Sequence, residues 1–162
     1  MFGEQESGEI FTIWDLYMLK NLKGIEVLFI AGFGPVVADQ AAGERLYCDL
    51  LQLPLERIEG YDGYLHSGRI KGVKHFALWP LSKAAQSCFG RPQWPADLPV
   101  PQSWLEVEVA DIKAATAILE KAGQTLLTSL QEEPWGQTVT RFLSPEGILM
   151  AVTHTPFLRD GE

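Results

Sequence analysis

The tripeptide Val37-Ala38-Asp39 recurs 72 residues later as Val109-Ala110-Asp111, and each copy ends an apolar strand-like run and opens a helix. The same order of elements surrounds both copies, so the chain reads as one unit written twice. In the first copy Val27–Val37 is strand-like, and Asp39 is placed to cap a helix that continues through Leu46, Leu50 and Leu51 and ends at Pro54. Segments near Leu55–Glu59, Tyr64–Ser67 and Val73–Trp79 follow as short strands punctuated by Gly60, Gly63, Gly68 and Gly72. In the second copy Trp104–Val109 alternates in polarity. Asp111 then caps Ile112–Ala122, which places Ile112, Ala115, Leu119 and Ala122 on one face before Gly123 stops it. Strands near Thr125–Thr128, Thr138–Leu143 and Ile148–Thr153 complete it, the last two joined by Ser144-Pro145-Glu146-Gly147. Each copy is β-α-β-β-β.

This divides the 162 residues into an N-terminal extension (1–24), a first βαβββ module (25–80), a linker (81–102), a second module (103–156) and a C-terminal tail (157–162), all within one compact domain. The linker region is rich in proline (Pro80, Pro92, Pro95, Pro99, Pro101), with a short helix expected around Ser82–Ser87. The extension carries Ile10, Phe11, Ile13, Trp14, Leu16, Tyr17 and Met18, too apolar for a free tail, and is expected to pack on the body or a partner subunit; Met18 is an alternative start.

Thirteen basic against twenty-one acidic side chains give a net charge of −8, which repels phosphate backbones and argues against nucleic acid. Cys48 and Cys88 form no CxxC pair or disulfide framework and are read as reduced, buried thiols. The first residues are acidic where a secretory signal is basic, and no apolar run approaches the roughly 18 residues that span a bilayer. A cytoplasmic protein without a membrane partner is expected.

Several segments together resemble the vicinal oxygen chelate superfamily of glyoxalase, bleomycin resistance protein and extradiol dioxygenase. They are Val37-Ala38-Asp39 before Leu46-Tyr47 and Leu50-Leu51-Gln52-Leu53-Pro54-Leu55, Glu108-Val109-Ala110-Asp111 with Lys121-Ala122-Gly123, and Pro134-Trp135-Gly136 before Phe142-Leu143-Ser144-Pro145-Glu146-Gly147. The resemblance implies an α+β fold of two tandem βαβββ modules whose curved mixed sheets form a cleft, commonly in a homodimer and often around a divalent metal held by first and fourth strands. The ligand positions it implies fall on Gly32, Trp104 and Ala151, with the fourth at or near His75 or Phe76. A catalytic divalent site generally needs about three donor side chains, so a metal-free cleft without a cofactor is expected.

Strand alternation puts Leu105, Val107 and Val109 against the helix and turns Trp104, Glu106 and Glu108 to the concave face. It likewise puts Phe76 and Leu78 under the first helix and sends His75, Ala77 and Trp79 inward, with Leu149, Ala151 and Thr153 as second-module counterparts. Trp79 and Trp104 read as flat walls or as core packing, and Trp135 as part of a turning loop or as a further wall at the cleft mouth. Glu106 and Glu108 read as ligand contacts, or as solvated or ion-paired groups with Arg141 or Lys74 as partners. His75 is a structural histidine or an acid–base partner of Glu106; His66 and His154 have no spacing that ties them to a partner.

The expected function is binding or sequestering of a planar or cationic small organic molecule. The alternatives are a metal-dependent lyase or dioxygenase with an atypical site on His75, Glu106 and Glu108, a metal-free acid–base enzyme, and a non-catalytic interaction or regulatory protein.

Overall fold

In the computed structural model, which describes residues 24–159, both aspartates of the repeated tripeptide cap helices. Asp39 Oδ1 accepts from the Ala42 amide at 3.0 Å, and Asp111 Oδ1 from the Lys113 and Ala114 amides at 2.9 Å each. Each cap satisfies amides that the first helical turn leaves without partners. The apolar positions between Ile10 and Met18, and the alternative start, lie outside the described residues.

The first half runs β1 (Val27–Val37), α1 (Gln40–Glu44) with a π-helical continuation (Arg45–Leu50), β2 (Glu56–Arg57), β3 (Leu65–Ser67) and β4 (Phe76–Pro80). Helix α2 (Leu81–Phe89) leads out of it. The second half runs β5 (Ser103–Val109), α3 (Ile112–Lys121), β6 (Leu126–Glu132), β7 (Thr138–Leu143) and β8 (Leu149–His154), followed by the short α4 (Pro156–Arg159). All eight strands form one mixed sheet in the order β2-β3-β4-β1-β5-β8-β7-β6. Each half has its first strand parallel to its fourth, and the two halves join where β1 runs antiparallel to β5. The modules therefore pair within one chain, and the fold is α+β.

Alternation along the strands sorts the core as the sequence implies. Phe76 and Leu78 pack with Leu65, Tyr47 and Cys48 on one face, while Val109 and Val152 pack with Ala115, Ile112 and Leu119 of α3. The opposite face gathers Ala77, Trp79, Trp104 and Leu149 with Ala84 and Cys88 of α2. Burying Trp104 against this group makes its truncation to alanine cost about 3–5 kcal/mol.

The first helix departs from the form expected of it. It turns π-helical over Arg45–Leu50, and Leu46, Leu50 and Leu51 are exposed. The Leu51 amide reaches back five residues to the Leu46 carbonyl at 2.9 Å, and this wider turn brings Tyr47 and Cys48 to the sheet. Cys48 is accordingly only half-buried, whereas Cys88 is buried. The short helix expected around Ser82–Ser87 is present as α2, which buries Ala84, Ala85 and Cys88.

Candidate functional site

Strand register sets the floor of the concave face. Gly32 stands opposite Glu106, Glu106 opposite Ala151, and Ala151 opposite Arg141, so one row crosses β1, β5, β8 and β7. One step along, Gly34 stands opposite Trp104 and Trp104 opposite Leu149. The two glycines form a trough for the Trp104 indole, whose Nε1 donates to the Ala77 carbonyl at 3.1 Å. A Cβ at Gly34 would fall 1.9 Å from that carbonyl oxygen, and one at Gly32 would fall 2.9 Å from the Trp104 ring. Glycine is required at both by close approach.

Above this floor lies a cleft of about 730 Å³, within the range that holds a small organic molecule. Its lining brings together His75, Trp79, Trp104, Glu106 and Trp135, five of the six ligand-contact candidates named from the sequence. Trp79 and Trp104 meet edge to face with centroids 5.9 Å apart. At the mouth Trp135 of the β6–β7 loop meets Tyr61 of the β2–β3 loop edge to face at 5.7 Å, which links the two modules across the opening.

Glu108 is the exception. It is fully buried and absent from the lining. Its carboxylate accepts from Thr153 Oγ1 at 2.8 Å, the Thr155 amide at 2.7 Å and Arg159 Nε at 2.6 Å. The expectation of two carboxylates in the cleft is thus corrected to one from this strand, because α4 folds back and engages the second. The ion-pair partners named from the sequence are corrected as well. Glu108 pairs with Arg159, Arg141 pairs with Glu133 at 2.6 Å, and the Lys74 ammonium lies 4.4 Å from the centre of the Phe29 ring.

Glu106 Oε2 accepts from Gln137 Nε2 at 2.9 Å, and no cation among the described residues stands within ion-pair distance of it. Gln137 Nε2 also donates to Thr155 Oγ1 at 3.1 Å while its Oε1 accepts from Trp135 Nε1 at 2.9 Å, so its amide orientation is fixed. Desolvation in the cleft pushes the Glu106 carboxyl above the ordinary range, with Arg141 pulling the other way. The group is held poorly solvated and not fully compensated.

His75 shares a 2.8 Å hydrogen bond with the Tyr64 hydroxyl, the two rings nearly parallel, and the His66 ring stands 5.4 Å away. Burial, with His66 adding to it, pushes His75 down to about 4, so the imidazole is neutral at physiological pH. Tyr64 is pushed up by burial and by Glu106 and keeps its proton. This pair orients hydrogen bonds within the wall and is not a charged couple. His154 is absent from the lining.

Sequence reasoning missed Tyr64, Glu133 and Gln137 as cleft residues and placed Arg141 only as a partner for Glu106 or Glu108. Arg141 lies within the lining, its guanidinium 5.2 Å from the Trp79 ring centre and its Nη1 donating to Ser87 Oγ at 2.8 Å. Alternation from Thr140, which hydrogen-bonds Thr116 of α3, was a signal available in the sequence for turning Arg141 inward.

Of the positions that the resemblance assigns to metal ligands, only His75 carries a donor side chain, and its Nε2 is hydrogen-bonded to Tyr64; the other three do not fit a divalent ion. Gly32 and Ala151 offer no side-chain donor, and the space beside Gly32 is filled by the Trp104 ring. Trp104 Nε1 is itself a hydrogen-bond donor and is already committed to Ala77.

No family model and no curated protein matches the chain. Solved structures do. A glyoxalase/bleomycin resistance protein/dioxygenase superfamily member from Vibrio splendidus 12B01 aligns over 76% of this chain and 96% of its own, with 13% identity and a TM-score of 0.54. Methylmalonyl-CoA epimerase from Mycobacterium tuberculosis aligns over 86% and 95%, with 19% identity and a TM-score of 0.51. A methylmalonyl-CoA epimerase in complex with methylmalonyl-CoA and NH4+ aligns over 82% and 98%, with 14% identity and a TM-score of 0.51. At these identities the likeness is one of architecture, and the chain has the vicinal oxygen chelate fold.

Proposed function

We propose that this protein binds a small organic molecule with a planar ring and a cationic centre in the cleft between its modules, without a metal. The observation that carries the reading is Glu106, a poorly solvated carboxylate without an ion-pair partner among the described residues, set among aromatic walls. A cation placed there supplies the missing compensation, and Trp79, Trp104 and Tyr64 offer ring faces and edges to a flat group. The structural neighbour solved with methylmalonyl-CoA supports a cleft of this architecture as a seat for a small ligand. The proposal also takes the protein to be a cytoplasmic homodimer, and its charge of −8 disfavours nucleic acid as a partner.

A second reading is metal-free acid–base catalysis at the same carboxyl. It is supported by the upward shift of Glu106, which brings a carboxyl closer to the pH at which it both takes and returns a proton. Ligand recovered chemically unchanged after prolonged incubation favours binding; altered ligand favours turnover.

The test uses 2-naphthylmethylamine as a planar cationic probe and follows tryptophan fluorescence. The expected result is saturable one-to-one binding that weakens about tenfold or more in Glu106→Gln, the scale of a charge-assisted hydrogen bond. Equal binding to both proteins, or no saturable binding to the wild type, overturns the proposal.

A further inference from the structure

One buried group in the same cleft keeps a donor unmatched among the described residues. Arg141 is 1% exposed, yet it forms part of the cleft wall. Its Nη1 is shared between Glu133 and Ser87, and its face lies over Trp79, but its Nε finds no hydrogen-bond partner among the described residues. The only other such atom among them, Thr128 Oγ1, belongs to the residue opposite Arg141 on β6 and does not line the cleft. Buried guanidinium donors are seldom left unmatched, because desolvating an N–H without giving it an acceptor is costly.

We propose that Arg141 is a second recognition point that takes an anionic oxygen of the ligand, of the carboxylate class. This rests on the reading that the cleft holds an organic molecule, and it makes that molecule amphoteric, with a cationic centre toward Glu106 and an anionic oxygen toward Arg141. The row of residues sets the spacing. Glu106, Ala151 and Arg141 stand in register on three adjacent strands, so the outer two Cα atoms are about two strand spacings, roughly 10 Å, apart. Ala151 between them carries only a methyl group.

The edge of the guanidinium that carries Nε can meet a carboxylate with two parallel N–H bonds, a geometry that a lysine cannot reproduce. Nε is shielded from solvent, so an anion reaches it only when the neighbouring wall moves. Glu133, which holds Arg141 Nη1, belongs to that wall. It begins the loop that ends at Gln137, closed by Glu133 N to Gln137 O at 2.8 Å and Gly136 N to Glu133 O at 2.9 Å, and held across the mouth by the Trp135–Tyr61 contact. Glu133 carries the negative charge that a ligand carboxylate must oppose.

The test is calorimetric titration with two probes sharing one ring, 2-naphthoate and 2-naphthylmethylamine, against wild type, Arg141→Lys and Glu133→Gln. Relative to the amine, naphthoate is expected to lose about tenfold in affinity in Arg141→Lys and to gain about tenfold in Glu133→Gln, which removes the competing charge. If both variants shift the two probes by the same factor, Arg141 and Glu133 serve packing alone and the proposal falls. If the amine binds but naphthoate binds neither wild type nor Glu133→Gln, the anion subsite is refuted while the cation reading stands. If neither probe binds, both fail. Should Arg141→Lys not fold, the near-isosteric Glu133→Gln still decides the matter.

Discussion

Glu106 and Glu108 are two residues apart on one strand and share one face, yet the fold gives them opposite circumstances. Glu108 is closed off by Thr153, Thr155 and Arg159, whereas Glu106 meets the cleft with Gln137 as its hydrogen-bond donor. Removing the cation from a buried pair leaves its partner charged and uncompensated. Arg159→Ala is therefore expected to destabilise the protein by about 3 kcal/mol in urea unfolding, even though Arg159 itself is partly exposed. A change below 0.5 kcal/mol would show that the threonine contacts suffice. His75 gives a pH signature. Its folded value is pushed down from 6.5 to about 4, so its contribution to stability is complete above pH 6.5 and is lost as pH falls toward 4. Glu106, shifted upward, acts in the opposite sense on the acid side, so the comparison must isolate His75. The stability of wild type relative to His75→Gln should fall by up to about 3 kcal/mol between pH 7 and pH 4, measured by unfolding at each pH. A constant difference would contradict the downward shift.

At the scale of elements, much was legible where one residue type at one position does a local job. Asp39 and Asp111 mark helix starts because a short carboxylate can accept from the free amides, and β1 and β7 begin and end where the apolar pattern does. Alternation sorted Phe76 and Leu78 from Ala77 and Trp79 correctly because its period is fixed by the pleat. The π-helical turn was hidden, since nothing in Leu46, Leu50 and Leu51 distinguishes an α from a wider π spacing. The return of α4 onto Glu108 was hidden too, because it depends on a contact between residues 51 positions apart. The cleft mouth is an element-scale feature of the same kind, where Tyr61 and Trp135 meet from different modules. Such an aromatic pair contributes about 0.5–1.5 kcal/mol, so Tyr61→Ala should cost about that much in unfolding and should also speed ligand dissociation several-fold in stopped-flow measurements. An unchanged dissociation rate would mean that the contact does not bridge the exit path.

For the molecule as a whole, the repeat of Val-Ala-Asp foretold two modules, but how they meet was not written in it. Antiparallel pairing of β1 with β5 inside one chain brings Gly32 and Gly34 under Glu106 and Trp104, and the cleft arises at that seam. Arg141 and Gln137 enter the site only through the order β5-β8-β7, which no local pattern specifies. Three of the positions that the resemblance assigns to a metal, Gly32, Trp104 and Ala151, lie at or beside this seam and carry no suitable donor. An indole occupies the trough, and Glu106 beside it faces a cavity with aromatic walls. The central claim is that this cavity holds a planar cation through protein groups alone. Its most direct test is calorimetric titration of 2-naphthylmethylamine into protein dialysed against chelator, repeated after adding Zn²⁺ or Mn²⁺. The account predicts one probe per chain with the same affinity before and after metal; binding that appears only once metal is restored would contradict it.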